Sequence, residues 1–507
     1  LFKNILLVFQ YYNENNLILH LNKSFAVKLF KNYLSSNYLF YISKNTGYFI
    51  RNLTSEVNNS VNLAYGFLIL LREGLVTMVI ISILIIRSPS ITIIFFLILV
   101  ISTFLFFKIF KLKIKKTSEF AQELRSSQMQ LINQSFGLFK TVKIFNIENI
   151  LSKKFDTLTY KKERSEFYLT FIKLLPKLIF ELIAITSLLL MCAFLVIFYS
   201  GENIIIILST IAVAIVRLVP AFNAITSSIT GINALIISFK SIYPELKKNN
   251  NFKQSNLELI KDTFQKKEGD YFEKITLKDI NFKYDSQKEY FIKNLNLEIL
   301  KGDNVAIVGK SGSGKTTLVD LIIGLLNVNS GDYLLNNKKI NNPISYWKSK
   351  VGYVAQDVYL TDDSIKDNVA FSEQNIDQNN DKKVNEALKN SAMGDFVKNL
   401  PNKEFSKVGE RGAALSGGQR QRLAFARAIY NNPEIIVMDE ATSALDQATE
   451  DEVLKNLENL KKNKTLIVIA HNLKTILSMD KIILMENGSI KFFGNKNEYL
   501  TKYNIKD

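Results

Sequence analysis

Long apolar runs in the first half of the chain set the strongest limit on its fold. Four of them cover residues 75–86, 91–107, 178–199 and 204–219, and residues 1–30 read as the end of a further membrane helix running into a polar segment. With its flanks, each run approaches or reaches the ~20 residues that cross ~30 Å of hydrocarbon as a helix. The alternative, buried helices of a large soluble core, fits poorly with basic flanks that lie on one side only.

The connections between the runs predict the topology. Residues 87–90 and 200–203 are short links that favour tight helical hairpins on one side of the membrane. The other side carries basic clusters at 108–116 and 161–164, which identifies it as cytoplasmic. The net charge of +17 is explained better by such flanks than by nucleic acid binding, so no nucleic-acid partner is predicted. We expect a multi-pass membrane protein with its second half in the cytoplasm.

One arginine, Arg217, interrupts the last apolar segment, where insertion at mid-helix costs roughly 3 kcal/mol. Small and polar residues recur on its helix face at spacings of three and four. They are Thr210, Ala214, Ala221, Ala224 and Ser228. We interpret Arg217 as a cationic anchor in a water-filled substrate cavity. The alternatives are snorkelling or an ion pair with Glu73 or Glu181, and no pair is expected between Arg72 and Glu73, which are neighbours in sequence.

Composition divides the 507 residues into two domains. Residues 1–243 are predicted to form the transmembrane domain, with about five spans, and residues 244–268 a polar linker. Residues 269–507 alternate strand and helix patterns. The single cysteine, Cys192, excludes an intramolecular disulfide and is expected to be a packing residue. Because the chain begins with Leu1 and enters an apolar run almost at once, we interpret it as a fragment.

A glycine-rich loop follows the apolar run 305–308 and precedes the helical pattern of 317–323. Glycines let backbone N–H groups converge on a polyphosphate, a lysine at the helix start reaches its outer phosphates, and the next hydroxyl can bind Mg²⁺. The alternative to a phosphate-binding loop is a purely structural Gly-rich turn before a helix. The residues expected to bind phosphate are Gly309, Lys310, Ser311, Gly312, Ser313, Gly314, Lys315, Thr316 and Thr317.

A second apolar run, residues 435–438, ends in two carboxylates, Asp439 and Glu440. One acid at a strand end can hold Mg²⁺ while its neighbour polarises a water. The run follows the segment Leu415 to Gln419 and precedes the segment 443–446, and this combination with the glycine loop is highly specific.

From about Tyr271 to the C-terminus, the chain resembles the nucleotide-binding domain of ABC transporters. The resemblance implies that Tyr284 stacks on adenine, Gln356 senses Mg²⁺ and the attacking water, and His471 contacts the γ-phosphate. It also implies that Glu440 is the general base and Asp439 the Mg²⁺ residue, with ATP and Mg²⁺ as cofactors. The signature residues expected to close over the ATP of a partner subunit are Ser416, Gly417, Gly418 and Gln419.

The resemblance implies a six-helix exporter-type transmembrane domain, with its first helix missing, followed by an α/β P-loop NTPase domain. The working unit would be a dimer of half-transporters, preferably a homodimer, in a lipid bilayer. Residues 208–223 look most like the PglK-type bacterial flippases of lipid-linked oligosaccharides, which implies an amphipathic anionic lipid as cargo. Export of another lipid, a peptide or a drug is the alternative, and a soluble, non-transport ABC ATPase is the remote one.

Overall fold

The computed structural model describes residues 1–87, 89–198, 203–247, 272–284, 289–347, 350–373, 378–440, 455, 464–470 and 472–504. The chain divides into two compact units. One comprises Leu1–Ser36 and Phe40–Gln265, and the other comprises Asn37–Leu39 and Lys266–Asp507.

The described part of the first unit is built from helices, of which five contain between 31 and 51 residues. Short helices connect some of the long ones, and a π-helical turn, Asn52–Glu56, precedes one of them. The helices are α1 (Phe2–Leu34), α2 (Tyr38–Ile42), α3 (Thr46–Arg51), α4 (Val57–Arg87), α5 (Pro89–Gly137), α6 (Phe139–Phe145), α7 (Glu148–Phe198) and α8 (Asn203–Lys247).

Three helical segments in the described residues are long and apolar enough to cross a membrane: Thr46–Ile86, Thr92–Gly137 and Ile215–Lys247. Their apolar side chains are largely exposed, as Leu75 (63%) and Ile86 (82%) illustrate. Such exposure is expected where hydrocarbon rather than water surrounds a helix. The predicted spans at 178–199 and 204–219 lie mostly within α7 and α8, and residues 199–202 are outside the described ranges.

Helix α8 extends to Lys247, four residues into the segment predicted as linker. The Tyr33 and Tyr48 hydroxyls donate to the two carboxylate oxygens of Glu245, and the Asn32 amide donates to its backbone carbonyl at 2.7 Å. These contacts explain why the helix continues past Pro244, which lacks an N–H to donate.

The described strands of the second unit form two sheets, one of four strands and one of six. The smaller sheet is antiparallel, with the order β2-β1-β4-β5. The larger has the order β10-β9-β3-β8-β7-β6, and only its β10 edge is antiparallel. The strands are β1 (Lys274–Phe282), β2 (Ile292–Leu300), β3 (Asn304–Val308), β4 (Ser330–Leu335), β5 (Lys338–Lys339), β6 (Val351–Val354), β7 (Ile435–Asp439), β8 (Thr465–Ile469), β9 (Lys481–Glu486) and β10 (Ser489–Asn495).

Helices and two short 3₁₀ turns, Lys403–Phe405 and Glu410–Gly412, connect or follow the strands of the two sheets. The helices are α9 (Lys315–Ile322), α10 (Pro343–Trp347), α11 (Ile365–Val369), α12 (Gln378–Asn390), α13 (Gly394–Lys398), α14 (Gly417–Ile429), α15 (Leu473–Leu477) and α16 (Lys496–Lys502).

Strands β3, β7 and β8 are buried at every residue, as expected for parallel strands covered on both faces. One apolar core includes Leu423 and Phe425 of α14, and the other includes Leu318 and Ile322 of α9. Because β3 and β7 both pair in parallel with β8, their carboxyl ends meet at one edge of the sheet. The loop after β3 and the carboxylates at the end of β7 therefore belong to the same edge, where open α/β sheets bind their ligands.

Candidate functional site

The loop between β3 and α9 depends on glycine. Gly309 and Gly314 have φ values of 152° and 103°, a region that side-chain-bearing residues rarely adopt. A Cβ at Gly309 would lie 2.4 Å from the backbone carbonyl oxygen of Met485 in β9. The loop backbone is therefore pressed against a neighbouring strand, and only glycine fits there.

Lys315 is the first residue of α9, and its side chain folds back over the loop. Its Nζ donates hydrogen bonds to the carbonyl oxygens of Gly309, at 3.0 Å, and Lys310, at 3.3 Å. Lys315 is only 7% exposed, and the buried Oγ of Ser313 has no hydrogen-bond partner in the described structure. The ammonium, the unpartnered hydroxyl and the helix N-terminus form a ready site for a polyphosphate anion.

Thr316 and Asp439 come together at the sheet edge. The Thr316 hydroxyl donates to Asp439 Oδ2 at 3.4 Å, across 123 residues of sequence. Hydroxyl and carboxylate oxygens are the ligands that Mg²⁺ prefers, so this pair fits the predicted metal site.

Asp320 is a residue that the sequence analysis missed. Burial and the nearby charge of Asp439 raise the pKa of its carboxyl to about 7. Asp320 lies one helical turn after Thr316 in α9, and this i, i+4 spacing could have revealed it. Carboxylates that repel each other favour a bound cation at the same place.

Glu440 directly follows β7 and has a left-handed backbone, with φ at 51°. The Gln356 side-chain amide donates to Glu440 Oε2 at 2.7 Å. Gln356 lies just after β6, which pairs with β7, so adjacent strands deliver the two side chains. The predicted base and the predicted water sensor are thus in direct contact.

Tyr284 is half-buried beside Phe282 and Phe291, with ring centroids 4.9 and 5.9 Å from its own. Its hydroxyl shares a 2.8 Å hydrogen bond with Thr317 Oγ1 in α9, and burial raises its pKa. The bond ties the predicted adenine-stacking residue to the helix of the phosphate loop. Stacking on a base stays a prediction.

The four signature residues form the N-terminus of α14. The Ser416 backbone N–H donates to Gln419 Oε1 at 2.9 Å, and the Gln419 N–H donates to Ser416 Oγ at 3.3 Å. This reciprocal capping box fixes the start of the helix, with Gly417 and Gly418 in its first turn.

Two predicted elements lie outside the described residues: His471, and the segment 443–446. Three members of the glycine loop, Lys310, Ser311 and Gly312, are exposed.

Arg217 has an exposed side chain on α8, between the apolar core residues Leu218 and Val219 on one side and exposed Val216 on the other. The two acids considered as its partners have other partners. Glu181 lies 4.0 Å from Lys177, and Glu73 accepts from Arg72 Nε at 3.0 Å. In the described structure neither acid pairs with Arg217.

The prediction that Arg72 and Glu73 do not pair is wrong. Arg72 also donates to Glu14 Oε1 at 3.0 Å, so one guanidinium bridges two carboxylates. Adjacent Cβ atoms point in different directions on a helix, but a guanidinium on a long stem reaches back to its neighbour when a second acid fixes it from another helix.

Comparison with known proteins agrees with this geometry. Residues 292–443 match the family model described as ABC transporter. Over 230 residues the chain is 40% identical to multidrug export ATP-binding/permease proteins of Staphylococcus aureus strains NCTC 8325 and COL. The match covers 45% of this chain and 39% of each relative, so the chain aligns with about two fifths of the length of these relatives.

The chain is similar in fold to a solved bacterial Atm1-family ABC exporter with ATP bound. The TM-score is 0.82, and the match covers 99% of this chain and 86% of the other at 21% sequence identity. The chain thus has the fold of an ABC exporter, a helical transmembrane domain followed by an ABC ATPase domain.

Proposed function

We propose that this chain is a half-transporter that couples ATP hydrolysis to export across a membrane. The observation that carries the proposal is the meeting of Thr316 with Asp439, and of Gln356 with Glu440, at the sheet edge that also bears the Lys315 loop. The membrane-spanning segments of the same chain favour transport over a soluble ABC ATPase.

Each side chain has a task in this proposal. Lys315 and the loop amides hold the β and γ phosphates. Tyr284 stacks on the adenine ring, and His471 contacts the γ-phosphate. Glu440 takes a proton from water as the water oxygen bonds to the γ phosphorus, and the bond from phosphorus to the bridging oxygen breaks, which leaves ADP and phosphate. Gln356 orients Glu440. Thr316 and Asp439 would hold Mg²⁺, which neutralises phosphate charge when bound.

The first prediction concerns Glu440, the proposed general base. Glu440→Gln should bind ATP with unchanged affinity but hydrolyse it at least ~100-fold more slowly, because the amide cannot accept the proton. Steady-state phosphate release and nucleotide binding would be measured on the purified full chain. Glu486→Gln, an exposed acid at the end of β9, serves as the control. Wild-type turnover in Glu440→Gln would remove the residue from its role.

For the cargo, we propose the pyrophosphate headgroup of a lipid-linked oligosaccharide, bound at Arg217. The support is the exposed side chain of Arg217, which has no ion-pair partner among the described residues, together with the likeness of residues 208–223 to PglK-type flippases. A guanidinium suits this ligand because it donates two parallel hydrogen bonds to a phosphate. Export of a drug is the second candidate, favoured by the multidrug-export description of the S. aureus relatives.

The second prediction tests this cargo in liposomes that contain the full-length protein and a panel of lipid-linked sugars. Arg217→Ala should abolish ATP-dependent flipping, and Arg217→Lys should restore part of it, since lysine offers only a point charge. Lys240→Ala, an exposed residue on the same helix, is the control and should flip normally. Normal flipping by Arg217→Ala, or transport of drugs alone, would contradict the proposed cargo. ATP hydrolysis without cargo reports whether each variant has folded.

A further inference from the structure

A polar cavity of about 180 Å³ lies among three helices of the first unit, several times the ~30 Å³ that one water occupies in the liquid. Its polar lining comes from α5 and α7, while α8 contributes the mainly apolar segment 234–238. The polar residues that matter here are Ser118, Gln122, Arg125, Glu166, Thr170 and Lys173.

Hydrogen-bond donors without acceptors mark the α5 wall. Ser118 Oγ, Gln122 Nε2 and Arg125 Nε are buried and have no hydrogen-bond partner in the described structure. Ser118 is only 6% exposed. These residues sit at i, i+4 and i+7, so one face of the helix presents all three to the cavity. Buried polar atoms are rarely left unpaired, since each costs ~1–3 kcal/mol, and they call for an oxygen-rich ligand.

The charges around the cavity are also unbalanced. Glu166 lies 3.7 Å from Arg125 and 3.9 Å from Lys162, and Lys162 also donates to Glu163 at 2.9 Å, so these two cations face two carboxylates. Lys173, on the α7 wall, has no acid within ion-pair distance among the described residues, and burial lowers its pKa. The α8 segment that lines the cavity has no titratable group. A bound anion would supply the missing negative charge.

The position of the cavity limits where the ligand comes from. Ser118 follows the apolar run 91–107 by eleven residues, and Lys173 precedes the run 178–199 by five. At ~1.5 Å per residue the cavity lies ~7–16 Å beyond the ends of these runs, on the side predicted to be cytoplasmic. Both a lipid headgroup and a dissolved anion can reach that level.

We propose that this cavity is a binding site for a phosphate-type oxyanion, held by Ser118, Gln122 and Arg125 of α5 and by Lys173 of α7. The positive charges of Arg125 and Lys173 and the N–H groups of Gln122 and Arg125 favour an anion over a metal cation, and the four groups line the cavity from two helices. The site is separate from Arg217 and from the ATP-binding half, so it stands or falls independently of the proposed transport function.

Binding of inorganic pyrophosphate to the purified full chain tests the site. A Lys315→Ala background is used because the glycine loop also binds phosphate. Lys173→Gln should weaken binding about tenfold or more, as expected for loss of one charge-assisted hydrogen bond. Lys177→Gln, one turn further along α7 and paired with Glu181, is the matched control and should bind unchanged. Equal affinity in Lys173→Gln and Lys177→Gln would overturn the proposal.

A neutral substitution distinguishes specific binding in the cavity from general attraction to positive charge. Gln122→Leu keeps the size of the side chain and removes an uncharged donor, so a built site should lose affinity several-fold. An unchanged affinity would mean that the basic surface alone attracts the anion, which would also overturn the proposal.

Chemical modification of the wild-type protein tests the same site without relying on the folding of a variant. Burial lowers the pKa of Lys173, so its amine should react with an acylating reagent, and pyrophosphate should protect it. Phosphatidylcholine vesicles with and without phosphatidic acid identify the source of the ligand. Protection by phosphatidic acid alone indicates a lipid headgroup, and protection by pyrophosphate alone a soluble anion. Absence of protection in both arms would refute the site.

Discussion

At the scale of single residues, the site is defined by side chains that meet from distant parts of the sequence. Gln356 and Glu440 are 84 residues apart and share a 2.7 Å hydrogen bond. Asp320 and Asp439 lie close enough for one charge to raise the pKa of the other carboxyl. The resemblance to a family identified three of these residues. The i, i+4 spacing from Thr316 could have revealed Asp320, but its raised pKa required the fold, because burial and Asp439 at the end of β7 cause it.

The third prediction concerns the pH dependence that Asp320 confers. Its folded-state pKa of about 7 lies above the ordinary value of ~4. Between these values the folded chain holds a proton that the unfolded chain releases, so the free energy of unfolding falls as pH rises from ~4 to ~7. Asp320→Asn should remove this loss and, at pH ~8 without nucleotide or Mg²⁺, raise the melting temperature by ~2–4 °C.

Thermal melts of the wild type and Asp320→Asn at several pH values check this effect. The two curves should converge near pH ~4, where Asp320 is protonated in both states of the wild type. Asp395→Asn, an exposed acid in α13, should follow the wild type. A constant offset between the wild type and Asp320→Asn at all pH values would contradict the explanation.

At the scale of elements, buried polar contacts connect the short helix α11 to α14. Asn368, in α11, is fully buried. Arg427 of α14 donates to its side-chain and backbone oxygens, at 2.6 and 2.8 Å, and also to the carbonyl of Tyr359 at 2.9 Å. The Asn368 amide in turn donates to the carbonyls of Thr361 and Ser364. These bonds join the segment after Gln356 to the helix that begins with the signature residues.

The fourth prediction follows from these contacts. Asn368→Ala should destabilise the ATPase domain by about 2–4 kcal/mol, because it leaves the half-buried Arg427 guanidinium partly unpaired and removes a fully buried amide. Chemical denaturation of the full chain would measure the loss. Asn402→Ala, at an exposed position, is the control and should change stability by less than ~0.5 kcal/mol. A loss of unfolding free energy as small as that of Asn402→Ala would mean that these contacts do not stabilise α11.

Element boundaries were predicted best where the signal is local. The strand predicted at 305–308 is observed as Asn304–Val308, and the run 435–438 lies within Ile435–Asp439. The end of α8 was predicted less well, because Pro244 suggests a break. Tyrosines from α1 and α3, far away in sequence, hold the last turn through Glu245.

At the scale of the whole molecule, the proposed ATPase requires a second copy of the chain. The signature residues at the start of α14 are bonded to each other, and the proposal assigns them to the ATP of the partner subunit. One chain would then carry half of each of two composite sites. ATP should therefore stabilise a dimer of the ATPase domains.

The fifth prediction tests that requirement in the full chain carrying Glu440→Gln, which prevents hydrolysis. Saturating ATP and Mg²⁺ should bring the two ATPase domains together, measured as increased energy transfer between dyes on this domain. Ser416→Arg should abolish the increase while ATP binding by the same chain persists, because a bulky cation would block the closing surface. The same labelled chain with ADP in place of ATP should show no increase in energy transfer. Equal signals with ATP and ADP would contradict ATP-driven closure.

The sequence by itself determined what depends on neighbouring residues: the apolar runs, the glycine loop and the strands that end in carboxylates. Periodicity and steric freedom act over a few residues, so these features can be predicted without the fold. Only the tertiary structure decided which side chains meet. It joined Arg72 to both Glu14 and Glu73, raised the pKa of Asp320, and gathered unpaired donors around the cavity between α5 and α7. Burial and electrostatic interaction depend on distance in space, and residues far apart in sequence set that distance only after the chain has folded.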